Sequence, residues 1–89
     1  MRRSSAEIII DILRNCSIEP LPLYRLMGIS RLSYSQGKFY LGKLVEKGLL
    51  QVAESGRKDY TITDEGRKML KKGRIAEVRK VMEEKLSDE

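Results

Sequence analysis

The stretch Leu32-Ser33-Tyr34-Ser35-Gln36-Gly37-Lys38-Phe39-Tyr40-Leu41-Gly42-Lys43-Leu44-Val45-Glu46-Lys47-Gly48-Leu49-Leu50 decides how this chain is read. Tyr34, Gly37, Leu41, Leu44, Val45 and Gly48 fall near one line at helical spacing. Ser33 is placed to cap the start, because its hydroxyl oxygen can accept from an orphan N–H of the first turn. Gly48 is placed to end the helix in the left-handed conformation. The opposite side carries Ser35, Gln36, Phe39, Lys43 and Glu46. An amphipathic helix is expected, with one packed face and one polar, mostly basic face that bears an outward aromatic.

Working upstream, Ser4-Ser5-Ala6-Glu7 has the form of a capping box, with Ser4 as the cap and Glu7 three residues on. Ile8, Ile9, Ile12, Leu13 and Cys16 follow as a helical stripe, so a first helix is predicted over residues 5–16, with Ile10 off the stripe. Pro20 and Pro22 forbid a regular helix through the connector 17–22. Leu23, Leu26 and Met27 predict a short second helix stopped at Gly28, and Ile29-Ser30-Arg31 reads as a tight turn. Two helices, a short turn and a longer third helix make a helix-turn-helix.

Downstream of Gly48 the period changes from helical to alternating. Leu50 and Val52 alternate with Gln51 and Ala53, and Tyr60 and Ile62 with Asp59, Thr61 and Thr63. A β-hairpin is predicted, with Arg57 and Lys58 making its tip basic. Thr63 is placed to cap a last helix whose first turn holds Asp64 and Glu65, favourable at the positive end of the helix dipole. Met69 and Leu70 would pack it. Ile75, Val78, Val81, Met82 and Leu86 form a further stripe, so the helix would run from about 64 to 87, roughly 36 Å at 1.5 Å per residue. The body is too small to cover that length. A second copy of the chain is the expected cover for Ile75, Val78, Met82 and Leu86, with Ile10 contributing; folding back on the first helix of the same subunit is the alternative. The fold class read from these elements is α+β, mostly α: a winged helix-turn-helix with a three-helix core, a two-stranded β wing and a C-terminal helix. Residues 1–72 form the winged domain, and 73–89 continue the last helix as a dimerisation element.

Charge narrows the function. The chain has 89 residues, 40% of them hydrophobic, with net charge +5 and pI near 9.5. Between residues 25 and 58 seven basic residues face two acidic ones, so that segment carries the whole net charge; no acid lies between Glu19 and Glu46. A merely soluble surface interleaves its signs, whereas a concentrated basic segment fits a polyanionic partner. The single Cys16 lies on an apolar helical face and reads as core. No histidine, metal-ligand cluster or phosphate-cradling glycine loop is present, which argues against an enzyme, a metal site and a cofactor. No apolar run reaches the roughly 20 residues of a membrane span, and Glu7 and Asp11 interrupt the apolar part that a signal peptide would need. The expectation is a cytoplasmic protein with no small-molecule ligand evident. Many Lys and Glu with few Asn and Gln fit a thermophile.

The order of elements and particular residues together resemble the small archaeal winged helix-turn-helix DNA-binding proteins whose C-terminal helix pairs with a second subunit as an antiparallel coiled coil. The resemblance rests on residues 4–13, on Arg25-Leu26-Met27, on Leu32-Ser33-Tyr34-Ser35-Gln36, on residues 44–49, and on Tyr60-Thr61-Ile62-Thr63-Asp64-Glu65-Gly66. It covers roughly residues 4 to 72. Three departures stand out: Gly37 replaces a bulky apolar residue, Tyr24 stands where a capping threonine is common, and the C-terminal helix is short. Gly37 would leave a gap on the packed face, filled in part by Phe39 or Tyr40.

In such a fold the third helix enters the major groove, and Ser35, Gln36 and Phe39 reach base edges by their periodicity. Gln36 is the leading reader, since its amide can pair with N6 and N7 of adenine. Phe39 could touch a thymine methyl, or pack within the protein. Ser33, Arg25, Arg31, Lys38 and Lys43 complete the contacts around the helix, mainly to phosphate, while Arg57 and Lys58 lie along the adjacent backbone or minor groove. The expected function is sequence-specific binding of double-stranded DNA by a dimeric transcriptional regulator. An architectural protein with little sequence preference and a winged-helix protein-interaction module are the competing readings.

Overall fold

The computed structural model describes residues 5–54 and 57–72. Its elements are α1 (Ser5–Ile18), α2 (Leu23–Ser30), α3 (Tyr34–Glu46), β1 (Leu50–Glu54), β2 (Lys58–Ile62) and α4 (Asp64–Lys72). The predicted fold class is the observed one: a mostly helical body with a two-stranded antiparallel sheet. Ser4 of the predicted capping box, Ser55 and Gly56 of the hairpin, and Ile75, Val78, Val81, Met82 and Leu86 lie outside the described residues.

α1 runs two residues further than its stripe predicted. It buries Ala6, Ile9, Ile12, Leu13 and Cys16, and Leu26, Leu41, Leu44 and Leu50 meet them in the core. Burying each such leucine or isoleucine contributes about 1.5–3 kcal/mol over leaving it exposed. Ile8 and Ile10 are both half-buried against this cluster. Ile10 is therefore not wholly outward, and Ile8 is less buried than its place on the stripe implied. Ser30 is the one described polar residue in the buried set. Its hydroxyl donates to Asp11 Oδ2 at 2.8 Å, while Asn15 Nδ2 donates to the Asp11 carbonyl at 2.7 Å. An unpaired buried hydroxyl would cost about 1–3 kcal/mol, so this pair fixes the end of α2 against α1.

α2 does not stop at Gly28. Ile29 and Ser30 are helical, and the reversal falls on Arg31, at φ 54° and ψ 53°. The N–H groups of Arg31 and Leu32 both donate to the Met27 carbonyl, which closes the helix with a left-handed residue that is not glycine. α3 ends at Glu46, and Gly48 takes the expected positive φ, 78°. It lies beyond the helix rather than on its packed line.

In the hairpin Leu50 pairs with Ile62, Gln51 with Thr61 and Val52 with Tyr60. Leu50 and Ile62 are buried, but Val52 is exposed. On β1 the inward face thus lasts one residue, whereas on β2 Tyr60 stays half-buried against the core beside Ile62. Leu21 exchanges two backbone hydrogen bonds with Tyr60, at 2.7 and 3.0 Å, so the proline-flanked connector docks on β2 as well as linking two helices. Thr63 joins strand, turn and helix. Its hydroxyl donates to the Gly48 carbonyl at 2.6 Å and accepts from the Gly66 N–H at 3.0 Å, and its own N–H donates to the Leu49 carbonyl. It caps α4 as predicted.

Candidate nucleic-acid interface

The head of α3 is a complete capping box. Gln36 N–H donates to Ser33 Oγ at 3.1 Å, and Ser33 N–H donates to Gln36 Oε1 at 3.0 Å. Two orphan backbone donors are satisfied reciprocally. The same pair therefore starts the helix and includes the residue that the sequence singles out as its leading base reader.

The packed face of α3 differs from the predicted line. Gly37, Tyr40, Leu41 and Leu44 are buried and Val45 is half-buried, whereas Tyr34 is 59% exposed. The helix is turned so that Tyr40, not Tyr34, enters the body, where its hydroxyl donates to Ser5 Oγ at 3.2 Å. Gly37 leaves no gap. A Cβ there would lie 2.8 Å from Leu23 Cδ1 and 3.2 Å from Met27 Cγ, so α2 already fills the space assigned to Phe39 or Tyr40.

The outer face carries Ser35, Gln36, Lys38 and Phe39, all exposed, with Lys43 half-buried at its edge. Two lysines rest over aromatic rings one turn back: Lys38 Nζ is 5.5 Å from the Tyr34 ring centre and Lys43 Nζ is 5.2 Å from that of Phe39. Phe39 meets Tyr40 edge to face, with centroids 5.5 Å apart, and stays 40% exposed. Its packing and its outward exposure coexist. Each ring face attracts the cation above it through its quadrupole.

Arg25 is exposed on α2, and Arg31 is exposed at the left-handed residue between α2 and α3. Lys58 is exposed at the start of β2. Arg57 is engaged within the protein: Nε donates to Asp59 Oδ1 at 3.1 Å and Nη1 to the Tyr24 hydroxyl at 3.3 Å. Six of the ten predicted contact residues thus lie along α3 or at its cap, two lie on α2 or its end, and Arg57 ties the hairpin to α2. Tyr24 and Asp59 are the residues that sequence reasoning missed. Tyr24 falls off the Leu23-Leu26-Met27 stripe, which marks it as outward, but nothing local pairs it with a residue 33 positions away.

A family model described as winged helix-turn-helix matches residues 2–83. The chain belongs to that family. Among solved structures the winged helix-turn-helix chain is similar to Sso10a-2, a DNA-binding protein from Sulfolobus solfataricus, at 34% identity and TM-score 0.71, covering 97% of this chain and 88% of that one. It is also similar to the transcriptional regulator BldR from the same organism, at 27% identity and TM-score 0.70, covering 93% of this chain and 62% of BldR. A third likeness is the DNA-binding TubR fragment from Clostridium botulinum, at 25% identity and TM-score 0.62, covering 83% of this chain and all of that fragment. Comparison with curated proteins gave no match. Among the described residues no helix is long and apolar enough to cross a membrane.

Proposed function

We propose that this chain binds double-stranded DNA and acts as a dimeric transcriptional regulator, with α3 in the major groove and the hairpin as a wing on the neighbouring backbone. One observation carries the reading. In a winged helix-turn-helix frame, the exposed side of α3 presents Ser35, Gln36, Lys38, Phe39 and Lys43, with no acid before Glu46. A solvated helix would interleave acids there. The likeness to proteins described as DNA-binding and as a transcriptional regulator supports it.

In this reading Ser35, Gln36 and Phe39 face base edges. Ser33, Arg25, Arg31, Lys38, Lys43 and Lys58 serve phosphate, with Arg57 a weaker contributor because Asp59 already compensates it. Residues 73–89 continue α4 as the dimer element through Ile75, Val78, Met82 and Leu86, joined by the exposed part of Ile10. Such a dimer would set two recognition helices about 34 Å apart, one duplex turn, and would favour a palindromic site. The test is selection of bound sites from a random duplex library, with sedimentation of the complex. A palindrome bound by two subunits is expected. Binding with no enriched sequence would indicate an architectural role, and no binding to any duplex at low salt would refute DNA as the partner.

A further inference from the structure

The capping box limits what Gln36 can read. Recognition of adenine by a glutamine uses both ends of the amide: the oxygen accepts from N6 and the nitrogen donates to N7. Here the amide oxygen already accepts from the Ser33 N–H, which uses one of its two lone pairs and holds it back at the start of the helix. The assignment of oxygen and nitrogen is not arbitrary at this position, because an amide nitrogen cannot accept from that donor. Moving the oxygen onto a base would expose the Ser33 N–H again and undo half of the reciprocal cap. The planar amide then directs Nε2 away from Ser33, and no described residue accepts from it.

We infer that Gln36 is a single-donor specificity residue: it reads a groove-edge acceptor through Nε2 and leaves adenine's amino group unread. The inference rests on the duplex-binding reading and refines it. The groove edges that satisfy one donor are N7 or O6 of guanine, N7 of adenine and O4 of thymine. A bidentate reader would demand adenine.

Two measurements test it. The first compares Gln36→Glu with the unaltered chain on duplexes selected from a random library and on a scrambled duplex. Glutamate keeps the acceptor that the capping box needs but has no donor. Thermal stability should be retained, and the ratio of selected to scrambled affinity should fall about tenfold. Taking the ratio removes the general repulsion added by the new charge. An unchanged ratio would mean that Gln36 only caps the helix, and would overturn the inference.

The second measurement uses base analogues at the pair whose preference Gln36→Glu abolishes. If adenine stands there, 7-deazaadenine should weaken binding about tenfold, while purine nucleoside, which lacks the amino group, should bind as adenine does. Equal losses from the two analogues would overturn the single-donor reading. A G·C pair at that position would support it directly, since it holds no adenine for a bidentate reader. A chain that binds duplex but selects no sequence overturns the inference and leaves DNA binding intact; a chain that binds no duplex fails on the broader proposal instead.

Discussion

Raising salt from 50 to 200 mM should weaken duplex binding by about 500-fold per bound subunit, and the structure explains why the figure is not larger. Six side chains are assigned to phosphate by their charge and position: Arg25, Arg31, Lys38, Lys43, Arg57 and Lys58. Each contact releases counterions and adds about −0.9 to the slope of log affinity against log salt, so six give about −5.4, or nearly 2,000-fold over that range. Arg57 differs from the others because Asp59 sits 3.1 Å from it. The pair is close to neutral when it meets the duplex and releases little. Five effective contacts give a slope of about −4.5, which is the 500-fold figure. The lysines over Tyr34 and Phe39 still count in full. A ring holds an ammonium without neutralising it, so leaving the ring, at about 0.5–1 kcal/mol each, lowers affinity at every salt concentration and leaves the slope alone.

Fluorescence anisotropy with one labelled duplex, repeated over a salt series, measures the slope. Lys58→Ala should make it shallower by about 0.9. Arg57→Ala should change it much less, because it also leaves Asp59 as an uncompensated negative charge near the duplex, felt mainly as weaker binding. A slope shallower than about −2 would refute the ionic face altogether. Equal changes in slope from the two substitutions would refute the argument from the Arg57–Asp59 pair.

Three further outcomes follow from single residues. Arg31→Gly should relieve a left-handed backbone, which costs a residue with a Cβ about 1–2 kcal/mol, so the melting temperature should hold or rise while the salt slope loses about 0.9; a clear drop in melting temperature would contradict it. Gly66→Ala and Gly42→Ala should differ in sign: a Cβ at Gly66 would collide with the Leu49 carbonyl and lie 2.7 Å from Ile62 Cγ1, whereas nothing lies within 4 Å of one at Gly42. Overpacking costs about 1–3 kcal/mol even before the carbonyl is counted, while the exposed helix gains about 1 kcal/mol from alanine; denaturant melts of both variants decide it, and matching shifts would refute it. Burial pushes the Cys16 thiol up to about 12 from its ordinary value near 9, so the unfolded chain ionises first as pH rises. The protonated thiol's contribution is whole below about pH 9 and is lost by up to about 1.4 kcal/mol per unit toward 12; melts from pH 8 to 11 on the chain and on Cys16→Ala should diverge in slope, and parallel curves would sink the point.

Much of this fold was legible because its signals are local. The Ser33 and Thr63 caps, the positive φ of Gly48, the change from helical to alternating period and the Cys16 core position each follow from neighbours within a few residues. What sequence reading missed depends on partners far along the chain. Gly28 looked like the end of α2, but the Ser30 hydroxyl had a half-buried acceptor in Asp11, so the helix ran on and Arg31 took the reversal. Val52 looked inward, but the inward face of β1 ended at Leu50. Tyr34 and Tyr40 border opposite sides of the same helical stripe, so periodicity barely separates them. The choice fell to Ser5, which meets the Tyr40 hydroxyl from α1. Within the candidate interface, the capping role of Gln36 was readable from its spacing three residues after Ser33 and went unread, whereas the Arg57–Tyr24 link needed coordinates.

α2 supplies little of the candidate interface but helps hold its parts together. α2 lies directly against the α3 backbone at Gly37, where a Cβ would be 2.8 Å from Leu23 Cδ1 and tight against Met27 Cγ at 3.2 Å. That intimacy is why a residue costing a helix about 1 kcal/mol relative to alanine is tolerated there. The hairpin is fastened to α2 and its leading connector: Leu21 bonds the Tyr60 backbone, and Tyr24 accepts from Arg57. α2 is thus one of the ties between α3 and the hairpin, from Gly37 on one side to Tyr24 and Leu21 on the other; the other is direct, through Leu49, whose N–H donates to the Leu44 carbonyl of α3. A bulkier residue at position 37 would push Leu23 Cδ1 and Met27 Cγ aside and strain the packing of α2 on α3. On the proposed duplex-binding reading, a shift of α2 would pull on the hairpin through Leu21 and Tyr24, so α3 and the hairpin would fit the same stretch of duplex less well even though every basic side chain remained.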